Sequence, residues 1–118
     1  MPKTVQITAD TVFRAFADET RLRILHLLVR GEICVGDLVA ILQVPQPTAS
    51  RHLTTLRRAG LVEVRKQGLW RFYRLAQSGS RLQRRLLDCV ASCLGEVPEI
   101  AADVARAERV AKSGGCCP

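Results

Sequence analysis

Two of the five cysteines in this 118-residue chain, Cys89 and Cys93, stand four positions apart. On a helix that spacing brings the Cβ atoms to about 5–6 Å on one face, so the two thiolates can grip one soft ion, for which sulfur ligands are selective over hard ions. Cys116 and Cys117 are adjacent in a glycine-rich terminus, a segment able to swing toward a partner site and unable to build a rigid one. Cys34 lies in a short β-prone stretch and is expected as a buried strand residue, because unpaired cysteine packs as a small hydrophobe. Packing in a subunit interface is the alternative use of Cys89 and Cys93. An odd cysteine count is expected to mean reduced thiols in the cytoplasm and no disulfide framework. The start, Met1-Pro2-Lys3-Thr4, lacks the apolar run of a signal peptide, and no stretch approaches the roughly 20 apolar residues of a membrane helix. No anion-binding loop frames any cysteine and no Ser, His and Asp set is apparent, so no enzymatic activity is expected.

The second group of residues able to do chemistry is cationic. Between positions 51 and 85 stand Arg51, Arg57, Arg58, Arg65, Lys66, Arg71, Arg74, Arg81, Arg84 and Arg85 against one acid, Glu63, within a chain of net charge +7. From Asp88 onward the balance reverses: Asp88, Glu96, Glu99, Asp103 and Glu108 face only Arg106, Arg109 and Lys112. A positive charge concentrated in one stretch is the footprint of a polyanion binder, although a solvated surface has the same composition.

Helices must position these groups. Hydrophobic residues make up 47% and aromatics only 4%, so Leu, Val, Ile and Ala fill the core and the fold is expected to be mainly α, of α+β character. The length suits one domain, expected over 1–112 with a flexible tail over 113–118. A chain this short buries only about two thirds of its unfolded surface, which makes a homodimer the expected way to complete the core. Val12, Phe13 and Phe16 predict a first helix over 8–17, capped by Thr8 or Asp10. Asp18 can cap a second, with Leu22, Leu25, Leu28 and Val29 on one face until Gly31 stops it. A third is predicted over 37–43 and ends at Val44 and Pro45. After about three residues a fourth runs over 47–59, with Ala49, Leu53 and Leu56 inward and Thr48, Arg51, Thr54, Thr55 and Arg58 outward. Strands over 61–66 and 69–75 flank Gln67 and Gly68, a turn that makes a basic hairpin. Leu82, Leu86, Leu87, Val90 and Leu94 mark a fifth helix, and 98–111 a sixth. Two helices joined by a tight turn and followed by a basic hairpin are a winged helix-turn-helix, here with a two-stranded β-wing and terminal dimerisation helices.

Several ordered motifs carry a resemblance as well. Ala17-Asp18-Glu19-Thr20-Arg21-Leu22-Arg23-Ile24-Leu25, Glu32-Ile33-Cys34-Val35-Gly36-Asp37-Leu38, Gln46-Pro47-Thr48-Ala49-Ser50-Arg51-His52-Leu53, Leu56-Arg57-Arg58-Ala59-Gly60-Leu61-Val62 and Gly68-Leu69-Trp70-Arg71-Phe72-Tyr73-Arg74-Leu75 closely resemble the ArsR/SmtB family of metal-responsive repressors. The match runs from about residue 10 to residue 76. The resemblance implies a homodimer that covers double-stranded operator DNA when ligand-free and leaves it when a thiophilic metal or metalloid binds. Gln46, Thr48, Ser50, Arg51, His52, Thr54, Thr55 and Arg58 then face the DNA, with Arg65, Lys66 and Arg71 of the wing on phosphate or the minor groove. As(III) or Sb(III) is the expected inducer, held by Cys89 and Cys93 with Cys116 or Cys117 supplying a third sulfur, and no organic cofactor is expected. Arsenic-sensing relatives often carry Cys-Val-Cys-Asp where this chain has Cys34-Val35-Gly36-Asp37, and a polar cap where it has Pro45. Its only histidines, His26 and His52, lie outside the last helices, so the carboxylate and imidazole zinc site of some relatives is not expected there. A Cd(II)-, Pb(II)- or Zn(II)-responsive repressor, or a persulfide or redox sensor using the same thiols, is the alternative.

Overall fold

A computed structural model describes residues 7–115. The elements run α1 (Ala9–Phe16), α2 (Glu19–Leu28), β1 (Ile33–Cys34), α3 (Val35–Leu42), α4 (Gln46–Arg58), β2 (Val62–Gln67), β3 (Trp70–Leu75), α5 (Arg81–Cys93) and α6 (Pro98–Lys112). Side-chain caps start most of the helices: Thr8 Oγ1 accepts from the Thr11 N–H, Asp18 from that of Arg21, and Ser80 and Gln83 form a reciprocal capping box on α5. Among the described residues no helix is long and apolar enough to cross a membrane.

Helix α2 is the centre of the core. Its Ile24, Leu25, Leu27 and Leu28 are sealed against Leu38 and Leu42 of α3, Leu53 and Leu56 of α4, and Leu61. Helices α3 and α4 are joined by residues 43–45, with Gln43 in the left-handed region at φ 57°. The 49, 53 and 56 stripe of α4 is fully buried, as its period requires. Gly60, at φ +73°, reverses the chain after α4 while the Leu61 N–H bonds the Leu56 carbonyl. The sheet has the antiparallel order β1-β3-β2. The expected two-stranded wing is β2 paired with β3, and a third short strand joins it because Ile33 and Cys34 pair with Tyr73 and Phe72.

Helix α6 closes the other side of the core, against α2 and α3. Its Asp103 is fully buried and accepts Arg23 Nε and Nη2 at 2.8 Å each and Arg106 Nη2 at 2.8 Å. The same guanidinium groups donate onward, Arg23 Nη2 to the Leu42 carbonyl at 3.1 Å and Arg106 Nε to that of Ile41 at 2.7 Å. These are among the last carbonyls of α3, which no helical N–H can satisfy. One buried carboxylate thus holds two cations over the C-terminus of α3, just before the turn into α4.

Several expectations need correction. Helix α3 begins at Val35, earlier than predicted, because Cys34 Sγ accepts the Asp37 N–H at 3.5 Å and acts as the cap. Phe13 is 52% exposed, since Ala15 takes the inward place beside Val12, and Val29 also faces out. Val90 and Leu87 lie in the chain's own core, whereas Leu82, Leu86 and Leu94 are only partly covered. Cys34 is buried, as expected of a strand residue, but it is disulfide-bonded and not a reduced thiol. Cys89 and Cys93 are free thiols.

Candidate nucleic-acid interface

Ser50, Arg51, Thr54, Thr55 and Arg58 line one shallow depression along the outer face of α4. The hydroxyl of Thr54 donates to the Ser50 carbonyl at 2.9 Å and that of Thr55 to the Arg51 carbonyl at 3.2 Å, so both oxygens turn their lone pairs outward as acceptors. Arg51 Nη2 lies 3.5 Å from Thr48 Oγ1. Neither Arg51 nor Arg58 has an ion-pair partner among the described residues, and both side chains are exposed. Gln46 is exposed at the start of α4, where Pro45 gives no side-chain cap. His52 sits apart from this face. It is half-buried, with Nδ1 3.2 Å from Arg21 Nη1 and 3.8 Å from an Asp18 carboxylate oxygen, and it ties α4 to the start of α2. Arg21 in turn donates to the Ala15 and Arg14 carbonyls at the end of α1.

The wing divides its charges by face. Lys66 and Arg71 are direct partners across the β2 and β3 ladder and therefore project on one side. Both are exposed, with no ion pair among the described residues. On the other side Arg65 lies opposite Phe72, its guanidinium 4.4 Å over the ring. It donates to Glu32 at 2.6 and 3.1 Å and to Gln67 at 2.8 Å. The guanidinium holds the Glu32 carboxyl below its usual value, and Glu32 raises that of Arg65. Arg65 is thus largely spent inside the protein, as is Arg74 on Glu63 at 3.0 Å. Leu69 stands fully exposed at the tip.

A turn-linked helix pair with an unpaired cationic outer face, beside a basic hairpin, is the shape of a DNA-binding winged helix. Residues 18–64 match the family model described as bacterial regulatory protein, arsR family. The chain is 41% identical to the arsenical resistance operon repressor of Escherichia coli K12 over 90% of its own length and 92% of that protein. The chain belongs to the ArsR family. It is a transcriptional regulator of the winged helix-turn-helix type and not an enzyme. It is also 40% identical to a cadmium resistance regulatory protein CadC homolog of Staphylococcus aureus, over 54% of each chain. Among solved structures, the homodimeric winged helix-turn-helix domain of a possible ArsR-family regulator of Mycobacterium bovis superposes with a TM-score of 0.60 at 37% identity, covering 69% of this chain and 72% of that one.

In this ArsR-family chain the thiols of α5 lie one helical turn apart and both are exposed. Cys89, hydrogen-bonded beside it, pushes the Cys93 thiol up from its ordinary value, which marks the two sulfurs as neighbours. No group of three or more His, Cys, Asp or Glu among the described residues is placed to hold a metal ion, and Cys116 and Cys117, expected to supply a third sulfur, lie outside those residues. Gln83 links this helix to α4: it is buried, and its Nε2 donates to the Ala59 carbonyl at 2.9 Å while its Oε1 accepts the Ser80 N–H at 2.6 Å. His26 is half-buried, with Nδ1 lacking a partner among the described residues, and burial followed by Arg30 holds it below its ordinary value. Sequence reasoning missed Asp103 and Gln83. The signal for Asp103 was present, since it stands in the apolar stripe of Ile100, Ala107 and Val110 at helical spacing.

Proposed function

We propose that the protein is a homodimeric repressor that binds operator DNA through α4 and the wing and leaves it when As(III) or Sb(III) is held by cysteine thiolates. Cys89 and Cys93 supply two of those thiolates. The observation that carries this reading is the row of exposed cations without ion-pair partners among the described residues, Arg51 and Arg58 on α4 and Lys66 and Arg71 on the wing, in a chain whose α5 carries two neighbouring free thiols. Gln46, Thr48, Ser50, Thr54 and Thr55 meet base edges or backbone, and His52 positions α4 through Arg21. Dimerisation places two α4 helices about 34 Å apart, one turn of DNA. Exposed Phe13 and half-covered Leu82 and Leu86 supply the apolar surface for it, and the homodimeric M. bovis neighbour supports it.

Release follows from the connection of α5 to α4. A ligand gathering two sulfurs on α5 favours one placement of that helix, and Gln83 fastens the first turn of α5 to the end of α4. Such coupling is typically about 1–3 kcal/mol. The test is fluorescence anisotropy on a duplex selected from random DNA by the protein, repeated with arsenite, antimonite, Cd(II), Zn(II) and a persulfide donor. Release by arsenite and antimonite with growth of sulfur-to-arsenic absorption supports the reading. Release by Cd(II) alone makes this a cadmium-type regulator. Release by the persulfide donor, with loss of two titratable thiols, favours a redox sensor, for which the adjacency of Cys89 and Cys93 also suits a sulfur bridge.

A further inference from the structure

The tip of the wing carries apolar surface that the fold does not use. Gln67 and Trp70 pair across β2 and β3, so Gly68 and Leu69 alone make the turn between them. Gly68 takes φ +60° while Leu69 stays at negative φ, the arrangement of a type II′ hairpin turn, which needs glycine only at its first central position. The second position commonly takes Asn, Asp or Ser. Here it is a leucine that is fully exposed, and Trp70 beside it is 39% exposed. A Cβ added at Gly68 would meet nothing within 4 Å, so the tip stands clear of the rest of the chain. Just behind it Lys66 and Arg71 project side by side on one face, without ion-pair partners among the described residues. An apolar tip and two cations are thus offered together to a polyanion.

We propose that Leu69 is an apolar wedge that enters the minor groove beside the site of α4 and partly unstacks one base step, bending the duplex, while Lys66 and Arg71 hold phosphates of the groove wall. The proposal rests on the operator reading above and adds to it a residue that reads how easily DNA deforms. The backbone of a two-residue hairpin is one strand spacing across, about 4.8 Å. That suits a minor groove about 6 Å wide, whereas a helix needs the major groove of about 12 Å. A leucine has no group with which to hydrogen-bond a base edge, so at the groove floor it gains most from the apolar faces that unstacking exposes. Leucine is among the side chains that wedge base steps apart and kink DNA by about 20–90°. Pyrimidine–purine steps open most easily, so the wedge favours TA or CA/TG at that place without reading their edges.

The only tryptophan of the chain, Trp70, stands next to the wedge and reports on it. The test uses the full chain and the selected duplex, read by energy transfer between labelled duplex ends for bending, by 2-aminopurine at successive steps for unstacking, and by Trp70 emission. Binding is expected to shorten the end-to-end distance, to raise 2-aminopurine emission at one step in each half-site and to change Trp70 emission. Leu69→Ser keeps a favoured Gly-Ser turn and should abolish the bend and the 2-aminopurine rise. It should also weaken the selected duplex by about 10-fold, the worth of one buried leucine side chain, with the salt slope unchanged because no phosphate contact is lost. Leu69→Met should restore all three signals. Replacing the unstacked step by part of an A-tract should weaken the wild type and leave Leu69→Ser unaffected. A bend that persists in Leu69→Ser overturns the wedge, as does specific binding to an unbent duplex, and in both cases the operator reading stands. Absence of binding to any duplex defeats the operator reading and the wedge with it. Dissociation of a self-associated wild type by Leu69→Ser, with bending unchanged, assigns the tip to a second copy of the chain and overturns the proposal.

Discussion

Asp103 of α6 and Arg23 of α2, eighty positions apart in the chain, meet in a two-pronged ion pair with both contacts at 2.8 Å and the carboxylate entirely out of solvent. Arg23 is raised above its ordinary value, first by the hydrogen bonds it donates to Asp103. Breaking a buried pair leaves an uncompensated charge, which costs about 3–5 kcal/mol. Asp103→Ala is therefore expected to lower the urea midpoint by that amount of stability, with Arg106 also losing its partner. Converting the pair to apolar residues, Asp103→Leu with Arg23→Met, should recover much of the loss. A change below about 1 kcal/mol in Asp103→Ala, well short of the range for broken buried pairs, would show that the latch does not hold α6.

Removing Arg51 is expected to relax discrimination between operator and random DNA by about 1–3 kcal/mol. Lys66→Ala or Arg71→Ala should weaken both DNAs alike and flatten the salt slope by about one unit each. Arg65→Ala should change the slope less, because Glu32 already neutralises it. Glu32→Gln should strengthen binding to random DNA by freeing Arg65. Salt titrations of anisotropy compare all five proteins, and an Arg65 effect equal to that of Arg71 would show that Glu32 releases its partner on DNA.

Leu86 and Val90 separate dimerisation from folding. Leu86 is only partly covered, so Leu86→Asp should give a folded monomer by sedimentation with weak DNA binding. Val90 is 3% exposed within its own chain, and an aspartate there buries an unpaired charge. Loss of helical circular dichroism is expected instead of clean dissociation. A stable Leu86→Asp dimer would move the interface elsewhere.

Cys89→Ser with Cys93→Ser should leave operator affinity intact and remove release by arsenite. Gln83→Leu should keep arsenite binding at α5 and reduce the effect of the ligand on DNA affinity, since the bond to the Ala59 carbonyl is lost. Isothermal titration alongside anisotropy distinguishes binding from coupling. Full release in Gln83→Leu would route the coupling through another contact.

His26 sets a pH dependence. The unfolded imidazole takes a proton as pH falls through about 6.5, whereas the folded one, held lower by burial and Arg30 and only partly offset by Asp103, does so further down. The contribution to stability is therefore full above about pH 6.5 and falls as pH drops from there toward the folded value. Wild type should lose more of its urea midpoint between pH 7.5 and 5.5 than His26→Gln. Parallel curves would mean that the ring titrates as it does in the open chain.

Local periodicity carried the helix-turn-helix, because a helix buries one stripe whatever surrounds it: Ala49, Leu53 and Leu56 went inward and Arg51, Thr55 and Arg58 outward as their spacing requires. Gly68 and the alternation beside it marked the hairpin for the same reason. The partners of charged and sulfur groups were decided only in three dimensions. That Glu32 takes Arg65 from the wing, that Asp103 draws Arg23 and Arg106 onto the end of α3, and that Gly115 comes to rest on Asp37 are contacts between segments whose relative positions no spacing along the chain encodes. They arise when α2 buries its apolar face on all sides and α6 is folded back over it. Each polar group enclosed by that packing must then find a partner among whatever residues the fold has brought near.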